Sequence, residues 1–76
     1  MSMVLEVRGE YIQLDQLLKA LNLVSSGGIA HQLVDDGLVK VNGFIETRRR
    51  AKIRAGDKVE FQGTAIQVIG KAELED

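Results

Sequence analysis

The sequence predicts an α+β domain: two short packed helices, then a β-hairpin and a small, mostly antiparallel sheet. Three observations carry this. Leucines recur at helical spacing between residues 14 and 21, the apolar period changes from about 3.6 to two after Gly37, and an Asn42-Gly43 pair sits between two apolar stretches.

Leu14, Leu17, Leu18 and Leu21 fall at i, i+3, i+4 and i+7, one face of a helix. Asp15 and Lys19 are four apart with the acid first, the favourable order on a helix surface. Asn22 offers a stop, and Ser25 or Ser26 a hydroxyl cap for a second helix. There Ile29, Ala30, Leu33 and Val34 share the apolar face, and His31, Gln32, Asp35 and Asp36 the polar one. Gly37 suits the position past the helix end, where positive φ is wanted.

Residues 38–41 then alternate, with Val39 and Val41 inward and Lys40 outward. Asn42-Gly43 demands a tight turn, because both central residues of such a turn take positive φ. The returning strand is expected at residues 44–46, with Phe44 open to exposure and Phe61 in the core. Further strands are expected at 51–54, 58–61 and 64–69, with turns at Ala55-Gly56-Asp57 and Gln62-Gly63, and one more strand at 4–7. Residues 1–70 read as a single domain and residues 71–76 as a polar, acidic tail expected to fray.

The chain has 76 residues, 45% hydrophobic and 28% charged, near the lower size for an unaided core. It has no Cys, so no disulfide framework or thiolate metal site. No apolar run approaches the roughly 20 residues that span a bilayer, and the first residues lack the pattern of a signal peptide. The expectation is a cytoplasmic monomer with no membrane partner and no cofactor. Catalysis is disfavoured by one His, no Cys, no suitably placed carboxylate pair and no nucleotide-type glycine motif. A lone His without further ligands makes no metal site.

The net charge of −1 hides a segregation. Residues 38–58 hold seven bases and two acids; the rest holds three bases and nine acids. Such a +5 window creates a local field that attracts anions whatever the net sign. Arg48, Arg50, Lys52 and Arg54 have one parity, so in an extended segment they project to one side, with Ala51, Ile53 and Ala55 on the other. Arg49 breaks the pattern, which makes residues 47–50 partly loop. Arginine's planar fork suits phosphate oxygens. Lys40 is expected to join this surface. Three aromatic residues are too few for a reader that stacks successive single-stranded bases. Recognition of phosphate spacing and fold shape, as for structured RNA, fits better. Gly27 and Gly28 leave bare N–H groups in the first turn of the second helix, where with Ser25 or Ser26 they can hold a phosphate oxygen. Asn42 is expected to shape the hairpin more than to read a base.

Gln13-Leu14-Asp15-Gln16-Leu17-Leu18, Ser25-Ser26, Ala30, Leu33-Val34, Gly37, Val39, Val41-Asn42-Gly43, Thr47 and Ala55-Gly56-Asp57 together resemble the RNA-binding domain of ribosomal small-subunit protein S-four, over about residues 12–62. The short chain is similar to the small stand-alone bacterial members. The resemblance implies a helix pair leading into a hairpin (the αL motif), no catalytic activity, and structured RNA as partner, ribosomal RNA or tRNA, on the ribosome or with another protein. Members usually carry Arg before the Leu-Asp pair and several bases along the second helix; here those places read Gln13, Gly27, Gly28, His31 and Gln32. The weight of RNA contact is therefore expected on Lys40, Arg48, Arg49, Arg50, Lys52 and Arg54. Gln13, Ser26, Gly28, Gln32 and Asn42 would give neutral hydrogen bonds, and His31 would add charge under mildly acidic conditions. About five phosphate contacts would give a log–log salt slope near −3.5. The competing expectation is a protein-interaction module that kept the fold with little RNA affinity.

Overall fold

The computed structural model describes residues 2–70; the expected acidic tail lies outside the described residues. The elements run β1 (Ser2–Val7), β2 (Ile12–Gln13), α1 (Leu14–Ala20), α2 (Gly27–Asp35), β3 (Val39–Val41), β4 (Phe44–Ile45), β5 (Lys52–Ile53), β6 (Lys58–Phe61) and β7 (Thr64–Gly70). The main sheet has the order β1-β7-β6-β3-β4, antiparallel except for the parallel β1–β7 pair. β2 and β5 form a separate antiparallel pair.

Both helices end in the same way. Asn22 takes φ 57°, the Asn22 N–H donates to the Lys19 carbonyl and the Leu23 N–H to Leu18. Gly37 takes φ 74°, its N–H donates to Val34 and the Leu38 N–H to Leu33. This is the paired 5→2 and 6→1 pattern that satisfies the last helical carbonyls. It lets both helices stop within a residue and turn sharply. α2 begins on the Ser26 hydroxyl, which accepts from the Ile29 N–H at 3.3 Å.

One core joins the helices to the sheet. Leu14, Leu17 and Leu18 of α1, Ala30 and Val34 of α2, Ile53 of β5, and Val39, Val59, Phe61, Ile66 and Val68 of the sheet are all buried. The strand register puts Val41, Val59 and Ile66 in one inward row, and Lys40, Glu60 and Ala65 in the adjacent outward row. The Asn42-Gly43 turn has φ of 53° and 88°.

Four expectations change. Ile29 is 44% exposed rather than on the buried face of α2. Ala55 is exposed, because the strand beginning at Lys52 ends at Ile53. The strand expected from residue 38 starts at Val39, since Leu38 is spent on the α2 cap. Asp15 is 8% exposed, not a surface partner of Lys19.

Candidate nucleic-acid interface

The basic segment is shaped by the helix it caps. Gln13 stands at the N-cap of α1 but makes no side-chain cap bond. Instead the Leu14 N–H donates to the Ala51 carbonyl and the Asp15 N–H to the Arg49 carbonyl, both at 3.0 Å. Two donors that a helix start leaves unpaired are thus satisfied by the backbone of the basic segment itself. The Ala51 N–H closes a turn on the Arg48 carbonyl. Next to it, β5 pairs with β2, placing Lys52 opposite Gln13 and Ile53 opposite Ile12. The Lys52 ammonium lies 5.1 Å from the Tyr11 ring centroid, a cation–π contact that orients the lysine without neutralising it.

Arg48, Arg50, Lys52 and Arg54 line one open groove floored by Ala51. The common side expected from parity is therefore present, although only two residues of the stretch are strand. Arg49 points to the neighbouring hollow, lined by Thr47, Arg48, Arg49, Arg50 and Asp35. Lys40 does not join them. It faces Glu60 across the β3–β6 pair and lines a hollow with Leu38, Phe61 and Gln62 on the outer side of the sheet.

Arg48 is engaged by the protein's own carboxylate. Its Nε and Nη2 donate to Glu46 at 3.1 and 3.3 Å, and its backbone N–H to the same side chain at 3.1 Å. The Arg48 side-chain hydrogen bond holds the Glu46 carboxyl below the usual glutamate range, against a smaller opposing effect of burial. Arg49, Arg50, Lys52 and Arg54 form no ion pair with a carboxylate among the described residues.

His31 is not a free surface group. Its Nε2 is 3.0 Å from Asp15 Oδ2 and its Nδ1 is 3.3 Å from Arg49 Nη1. Guanidinium can only donate, so the partners assign Nδ1 as acceptor and Nε2 as the N–H that bonds Asp15. Both ring nitrogens of His31 are therefore engaged within the fold.

Asn42 has both amide atoms committed. Its Nδ2 donates to Asp57 Oδ1 at 3.0 Å and its Oδ1 accepts from the Lys58 N–H at 2.9 Å. The other oxygen of Asp57 accepts from the Arg54 N–H at 2.8 Å. One carboxylate thereby ties the hairpin turn to the end of the basic groove. Ser26, Gly28 and Gln32 are exposed along α2, and a Cβ on Gly28 would meet only Ser26 Oγ at 3.9 Å.

Sequence reasoning missed Asp15 and Tyr11. The signal for Asp15 was its place three residues before Leu18, beside the apolar face and not opposite it. Tyr11 carried no periodic signal, because the two-residue strand after it has none.

Two end-capped helices leading into a β-hairpin, with a basic turn seated on the start of the first helix, define a small α+β binding module. The family model for the S4 domain matches residues 5–69, and the chain belongs to that family. It is 42% identical over 59 residues to the "Putative RNA-binding protein YbcJ" of Escherichia coli, covering 78% of this chain and 84% of that one. It is 39% identical over 54 residues to the "Probable ribosome maturation protein RlbA" of Bacillus subtilis, covering 71% of this chain and 76% of that one. The solution structure of YbcJ from E. coli, described as having an αL motif involved in RNA-binding, superposes with a TM-score of 0.65 at 38% identity, covering 90% of this chain and 85% of that one.

Proposed function

We propose that this protein is a non-enzymatic RNA-binding module for structured RNA, ribosomal RNA or tRNA, and that it holds the sugar–phosphate backbone in the basic groove. The observation that carries this is the groove itself: Arg50, Lys52 and Arg54 share it, and none has a carboxylate partner among the described residues. Like charges held together repel unless an anion neutralises them, and a polyphosphate backbone does so with release of counterions. Arg49 adds a fourth contact from the adjoining hollow. Arg48 contributes less, since an RNA phosphate must compete with Glu46. Lys40 and Asn42 contribute least: one lies on the outer side of the sheet, and the other is used in the fold. The names of the relatives support RNA as the ligand class, and that of RlbA supports a ribosomal setting.

Backbone amide shifts on titration with bulk tRNA or ribosomal RNA test the reading. The expected result is a contiguous set of shifts over residues 48–54, extending to Ser26, Gly28 and Gln32 of α2. No shifts, with a protein recovered on the immobilised chain instead, would favour the protein-interaction module.

A further inference from the structure

We infer that Phe44 is a stacking platform for one unpaired base of the RNA whose backbone occupies the basic groove; this rests on the proposed function. Phe44 is 77% exposed, more than any other large apolar residue described. It lies directly opposite Val41 in the β3–β4 hairpin. Opposed residues of an antiparallel pair share a face, and Val41 packs against the core. Phe44 therefore stands on the helix-bearing face, beyond the edge of the core. Ile45, the other exposed apolar residue of β4, is opposite Lys40 and so belongs to the outer face. The two do not make one apolar patch, which is what a docking protein would need.

Position relative to the groove identifies the ligand. The chain leaves β4 at Ile45, turns through the arginines, and returns along residues 48–54 to the Arg54–Asp57 turn. There the Asp57 carboxylate binds the Arg54 N–H with one oxygen and the Asn42 amide with the other. Phe44 is two residues past Asn42, within roughly 7 Å along the chain. The end of the cationic track is thus tied, through Asp57 and Asn42, to the hairpin that carries one flat, uncovered ring. A continuous duplex offers no base face there, but a bulged or looped-out nucleotide does. This also fits the scarcity of aromatics, since one ring serves one base, not a run of them.

The chain contains no Trp, so Phe44→Trp introduces a sole indole, whose emission is selected by exciting beyond the absorption of Tyr11. Two RNA probes are used, a hairpin with a single bulged nucleotide and its fully paired counterpart. On saturation with the bulged hairpin, Trp emission should be quenched by the stacked base. Phe44→Ala should weaken binding to the bulged hairpin about tenfold, the scale of one base–aromatic stack, and change binding to the paired one less than twofold. It should leave the salt slope unaltered, because no phosphate contact is removed. Unquenched emission with unweakened Phe44→Ala binding, at a steep salt slope, overturns the stacking role and leaves the groove reading standing. A flat salt slope for the unmodified protein overturns both.

Discussion

His31 Nε2 lies 3.0 Å from Oδ2 of Asp15, so an imidazole on α2 and a carboxylate on the first turn of α1 form a polar clasp between the two helices. Asp15 is nearly buried, and its second oxygen accepts from the Gln16 N–H at 2.9 Å. The clasp continues outward to Arg49, whose own carbonyl caps the Asp15 N–H. Helix packing and the placing of one cation are therefore a single arrangement.

His31→Ala leaves a buried carboxylate without its partner and should cost about 1–3 kcal/mol in urea unfolding, with an unchanged m value. Asp15→Asn should cost less on top of His31→Ala than alone. A coupling below about 0.5 kcal/mol in that cycle would mean the clasp is not a stabilising contact.

Asn42 is held both by conformation and by bonding. Asn42→Gly keeps the positive φ but loses the bonds to Asp57 and Lys58, and should cost about 1–2 kcal/mol. Asn42→Ala must also place a Cβ in the left-handed region and should cost about 1 kcal/mol more. Thermal or chemical unfolding of the pair separates the two effects; equal losses would contradict the strain component.

The Glu46–Arg48 pair gives a signed pH dependence. The Glu46 carboxyl is held below its ordinary 4.5 in the folded protein. A depressed folded value means the pair contributes stability above the unfolded value, which is lost as pH falls through the folded one. Stability should decline below about pH 4.5, less steeply in Glu46→Gln, by a small amount because Arg48 is exposed. Near neutrality, Glu46→Gln frees Arg48 and should steepen the salt dependence of RNA binding by up to about 0.7 in the log–log slope. An unchanged slope would show that Arg48 is already available, or never used.

Gly28 is open to substitution. Nothing but the Ser26 hydroxyl approaches its Cβ position. Gly28→Lys should be tolerated, since the gain in helix propensity offsets the unfavourable cation near a helix start, each about 0.3–1 kcal/mol. It should raise RNA affinity and steepen the slope by about 0.7. Unaltered binding would place α2 outside the interface.

What the sequence revealed follows from how local each signal is. The leucine face of α1, the Ser26 cap, the Gly37 stop and the Asn42-Gly43 turn depend on neighbours within a few residues, and the structure has them all. The β2–β5 pair joins segments about 40 residues apart through strands too short to show a period. The parallel partnership of β1 with β7 is likewise set by the assembled core. Asp15 looked like a surface acid because its partner is 16 residues away on another helix. The shared side of Arg48, Arg50, Lys52 and Arg54 was legible from parity, but the loss of Arg48 to Glu46 was overlooked. That pair was within reach, since residues two apart in an extended chain project to the same side.

The affinity for a structured RNA, measured from low to high monovalent salt, tests the basic groove most directly. With about four phosphates held by Arg49, Arg50, Lys52 and Arg54, log affinity should fall against log salt with a slope near −3, and Arg50→Ala should flatten it by less than one unit. A slope near zero, or one that Arg50→Ala, Lys52→Ala and Arg54→Ala together leave unchanged, would contradict it.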